Sequence, residues 1–135
     1  MTKFYCLVGG IYTVIRTKVP VTVEEYGKRY CLIGPQSKKN SCLEVESCDP
    51  EDPILKKCLK SMRDDGVKIV YGTWLVDGSP SVILFDLESM AHRLNEWKAD
   101  LWNISGIPSP SNDSEMNEAV IFGYLTAWFL GLVIF

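Results

Sequence analysis

The chain has a single histidine, His92, and no two of its cysteines stand at C-x-x-C spacing. With one histidine, no Ser/His/Asp set can be argued. Basic excess is lacking too. Lys and Arg number 14 against 17 Asp and Glu, a net charge of -3, so the chain lacks the electrostatic footprint of a broad nucleic-acid surface. The start lacks a long apolar run: residues 4–8 are broken at Gly9-Gly10, short of a secretory signal. The five cysteines (Cys6, Cys31, Cys42, Cys48, Cys58) are therefore expected as reduced thiols of a cytosolic protein. The sequons at Asn103 and Asn112 mean little outside the secretory route. No internal repeat or low-complexity tract is present. What remains is 135 residues, 47% hydrophobic and 23% charged, the composition of one soluble globular domain.

Strand-like and helix-like patterns alternate. Residues 11–18 follow a Gly-Gly turn and predict a short helix ending before Pro20. Residues 29–33 (RYCLI) read as a buried strand stopped by Gly34-Pro35, and residues 42–46 as a short strand. Asp52, Pro53 and Gly66 punctuate a helix as cap, first turn and C′ residue, with Ile54, Leu55, Cys58, Leu59 and Met62 on one side. Residues 67–71 and 81–87 (SVILFDL) predict two further strands. The second is apolar enough to be covered on both faces, as in a parallel sheet. A helix over residues 88–103 places Met90, Leu94, Trp97 and Leu101 inward. A last helix follows the caps Ser111, Asn112 and Asp113, with Glu115 in a capping box if Asn112 is the cap. Alternation of this kind predicts an α/β fold of the doubly wound type.

Few residues offer chemistry. Gly9-Gly10 before a helix lets backbone N–H groups approach a phosphate, although a tight turn needs the same residues. His92 lies between Glu88 and Glu96 at i, i+4 spacing, a pattern that reads as a solvated charge cluster rather than a metal or acid/base site. Zinc at Cys42, Cys48 and Cys58 matches no standard knuckle. Residues 119–135 carry no charge but fall just short of the ~20 apolar residues of a membrane span, so a core helix is the expected reading and a tail anchor the alternative. An apolar chain end of this kind reads as a cut.

Three stretches, residues 8–35 (VGGIYTVIRTKVPVTVEEYGKRYCLIGP), 71–89 (YGTWLVDGSPSVILFDLES) and 95–131 (NEWKADLWNISGIPSPSNDSEMNEAVIFGYLTAWFLG), resemble the eukaryotic glycogen synthase family in order and nearly without gaps. The resemblance implies that residues 1–135 are a partial N-terminal domain, Rossmann-like, of a two-domain GT-B glycosyltransferase whose C-terminal domain is absent. The implied activity is transfer of glucose from UDP-glucose to the non-reducing end of an α-1,4-glucan, with retention. It further implies glycogenin as primer, homo-oligomers of the whole enzyme, glucose 6-phosphate as activator and no cofactor.

By the same resemblance, Gly9 and Gly10 match the nucleotide-sugar loop, while Leu7 stands where the family has a donor-contacting Lys. The catalytic carboxylate, the basic residues around the donor phosphates and the activator site belong to parts of the family not represented here. The chain alone is thus expected to be inactive. Two further readings stand beside this one. The first is a non-catalytic product that binds the full-length enzyme or glycogen; the second is a tail-anchored protein.

Overall fold

The computed structural model describes residues 9–36, 45–110 and 112–134, with backbone alone for residues 9–13. Helix α1 (Gly9–Tyr26) and a 3-10 turn (Gly27–Arg29) lead into β1 (Cys31–Gln36). Then come β2 (Val45–Ser47), α2 (Pro53–Asp64), β3 (Ile69–Trp74), β4 (Ser81–Asp86), a 3-10 segment (Leu87–Arg93), α3 (Leu94–Ser105) and α4 (Ser114–Ile134). The strands form one four-stranded sheet in the order β1-β4-β3-β2.

That sheet is mixed, not parallel throughout. β1 runs parallel to β4 with Ile33 opposite Ile83, whereas β3 is antiparallel to both β4 and β2. The cause lies in residues 75–80, a link too short for the dozen-residue crossover that parallel neighbours need. It closes a hairpin instead, with Trp74 N–H donating to the Pro80 carbonyl at 2.9 Å.

Side chains alternate across the sheet as a two-residue period demands. From β4, Ile83 and Phe85 enter one core with Cys58, Leu59 and Met62 of α2, Trp97 of α3, and Val120, Ile121, Leu125 and Phe129 of α4. Val82 and Leu84 enter the other, with Val45, Trp74 and Val19 of α1. Helices therefore cover both faces, and β4 is buried on both sides as its apolar run implies.

Several boundaries depart from the sequence expectations. α1 continues through Pro20 to Tyr26 instead of stopping before the proline. A proline inside a helix costs about 3 kcal/mol. Val19 is fully buried, worth about 1.5–3 kcal/mol, and Ile15 and Val23 one turn either side pack on the same core. Tertiary packing thus offsets the local penalty. β1 begins at Cys31 and passes through Gly34-Pro35, a position that proline tolerates on an edge strand. β2 begins at Val45; residues 42–44 of the expected strand lie outside the described residues.

α2 matches its punctuation: the Asp52 carboxylate accepts the Ile54 N–H at 2.8 Å, and Gly66 after the helix has φ +97°. Ile54, expected inward, is 60% exposed.

The helix expected over residues 88–103 is two pieces, broken where Met90 leaves helical geometry (φ -118°, ψ 16°). The Asp86 carboxylate accepts the Glu88 N–H, and Ser89 Oγ donates to the Asp86 carbonyl while accepting the Lys68 N–H. These bonds tie the segment to the end of β4. Met90, Leu94, Trp97 and Leu101 still face the core. α4 is capped by Asp113, which accepts the Met116 N–H at 3.0 Å, so Asn112 is not the cap and Glu115 makes no capping box.

Among the described residues, α4 alone is long and apolar enough to cross a membrane. In the structure one face of it is core, through Val120, Ile121, Leu125 and Phe129.

Candidate functional site

Gly9 and Gly10 do not form a turn ahead of α1; they are its first two residues. The opening N–H groups of any helix have no acceptor within it, and the aligned peptide dipoles leave partial positive charge there. No acidic side chain occupies the first turn of α1 to neutralise that charge. Glycine adds no Cβ beside these donors, so a phosphate oxygen can approach them closely. The helix carrying them is anchored by Val19, Ile15 and Val23 against the sheet. The hairpin link seats on it as well: a Cβ at Gly78 would come 3.0 Å from the Pro20 Cα. Leu7 lies outside the described residues.

The other sequence candidates are dispersed. His92 is exposed, and the break at Met90 separates it from the helical register of Glu88. Glu96 instead accepts two hydrogen bonds from Arg93, at 3.2 Å each, which hold its carboxyl below the usual range and keep Arg93 charged. Cys58 is buried in the core, Cys48 is exposed, and Cys6 and Cys42 lie outside the described residues. Burial pushes the Cys31 thiol up to about 11, which leaves it a neutral thiol at physiological pH rather than a nucleophile. No group of three His, Cys, Asp or Glu side chains suited to a metal ion occurs among the described residues.

One arrangement escaped the sequence reading. Between α3 and α4 runs an open apolar groove of about 390 Å³, lined by Leu101, Ile107, Met116, Val120 and Tyr124 and floored by the small residues Ala119, Gly123 and Ala127. Lys98 donates to the Pro110 carbonyl at 3.0 Å and holds the intervening loop against α3. At one side the Arg93 guanidinium lies 5.1 Å over the Trp97 ring, whose other partner is Tyr124. The i, i+4 spacing of Arg93 and Trp97 was a usable signal; the pairing with Tyr124 is tertiary and left none.

The family model described as glycogen synthase matches residues 2–134. The chain is 55% identical over 124 residues to a glycogen [starch] synthase of Neurospora crassa, covering 92% of this chain and 18% of that protein. It is 52% identical over 134 residues to glycogen [starch] synthase isoform 1 of Saccharomyces cerevisiae, covering 93% and 19%. To the liver glycogen [starch] synthase of Mus musculus it is 46% identical over 123 residues, covering 91% and 18%. The chain spans under one fifth of the length of these relatives. Matched by the family model from residue 2 to residue 134, with identities of 46–55% sustained along its length, the chain belongs to the glycogen synthase family.

Proposed function

We propose that this chain is part of the N-terminal, Rossmann-like domain of a GT-B glucosyltransferase of glycogen biosynthesis. In that role it forms one wall of the cleft that receives UDP-glucose. The observation that carries the reading is the 55% identity to a glycogen synthase over 92% of the chain. Helices on both faces of the sheet and a helix opening at Gly9-Gly10 are consistent with it.

The reaction moves glucose from UDP-glucose to the non-reducing end of an α-1,4-glucan. Its barrier falls when preorganised donors meet the charge that develops on the departing phosphate. The N–H groups at the start of α1 are such donors, fixed by the packing of Val19 before any substrate arrives. Position 7 is Leu, where the family resemblance has a donor-contacting Lys. Retaining transfer also needs the donor held in a closed cleft, and the family's catalytic carboxylate and activator site belong to its remaining length. The chain by itself therefore transfers no glucose. The whole protein acts in the cytoplasm on UDP-glucose and glycogen, with glycogenin supplying the primer, glucose 6-phosphate as activator, a homo-oligomeric assembly and no cofactor.

The test grafts residues 8–131 onto the Neurospora relative in place of its matching segment. Labelled glucose incorporation from UDP-glucose into glycogen is then measured for the graft and for the 135-residue chain. The graft is expected to incorporate label and the chain to stay at the no-protein background, with or without glucose 6-phosphate. A folded but inactive graft, or turnover by the chain alone, overturns the reading.

A further inference from the structure

We draw no further inference here: the strongest candidate, the open apolar groove between α3 and α4 over Ala119, Gly123 and Ala127, carries nothing because nothing in the structure shows what covers it.

Discussion

The indole of Trp97 on α3 lies almost parallel to the phenol ring of Tyr124 on α4, with centroids 5.2 Å apart and 7° between planes. Trp97 is 5% exposed and also packs against the core, so Trp97→Ala is expected to cost about 3–5 kcal/mol. The stack itself accounts for roughly 0.5–1.5 kcal/mol of that. A double-mutant cycle with Tyr124→Leu, read by urea unfolding, isolates the coupling. Additive effects of the two substitutions would show that the rings do not stabilise one another.

Two glycines respond oppositely to one methyl group. A Cβ at Gly72 overlaps the carbonyl oxygen of Glu46 and lies 2.8 Å from its carbon, because β2 and β3 approach closely there. Gly72→Ala is expected to cost at least about 1–3 kcal/mol, since backbone must move to admit it. Around Gly123 on α4 a Cβ meets nothing within 4 Å. Gly123→Ala should stabilise by about 0.8–1 kcal/mol through helix propensity. Thermal unfolding of the two variants should shift in opposite directions.

Helix capping separates two adjacent residues. Asp113→Ala removes the acceptor of the Met116 N–H and is expected to cost about 1 kcal/mol. Asn112→Ala should be close to neutral. Equal losses at the two positions would restore Asn112 as the cap.

Cys31 gives the stability a pH dependence at the alkaline end. Its thiol is raised to about 11 by burial, so the folded chain holds that proton more tightly than the unfolded chain does. The resulting stability is complete below about 9, the ordinary thiol value, and is lost as pH climbs towards 11. Denaturant midpoints between pH 8 and 11 should fall for the parent chain and fall less for Cys31→Ala. Site-resolved alkylation at pH 8 should label exposed Cys48 well before Cys31 or buried Cys58.

Local chemistry marked α2 well: the cap and proline at its start and the glycine past its end each act within a single turn of the helix. The inward stripe from Met90 to Leu101 was legible for the same reason, since periodicity survives a break in the helix. The course of α1 past Pro20 was not legible, because it depends on Val19 meeting Trp74 and Leu84 from distant strands. Antiparallel β3 and β4 were readable from the short link of residues 75–80, which outweighs the parallel-sheet signature of an apolar strand. At the candidate site, a helix starting near Gly9-Gly10 was legible, although both residues lie inside the helix and not in a turn ahead of it.

The most direct measurement of the central claim is the KM for UDP-glucose of a grafted synthase that carries residues 7–131, with Leu7 and with Leu7→Lys. A charge-assisted phosphate contact is worth roughly 1.5–3 kcal/mol, about one to two decades in affinity. If the start of α1 receives the donor phosphates, Leu7→Lys lowers KM by about 10- to 100-fold. It should leave the KM for glycogen unchanged. An unchanged KM for UDP-glucose would contradict the placement of the donor at Gly9-Gly10.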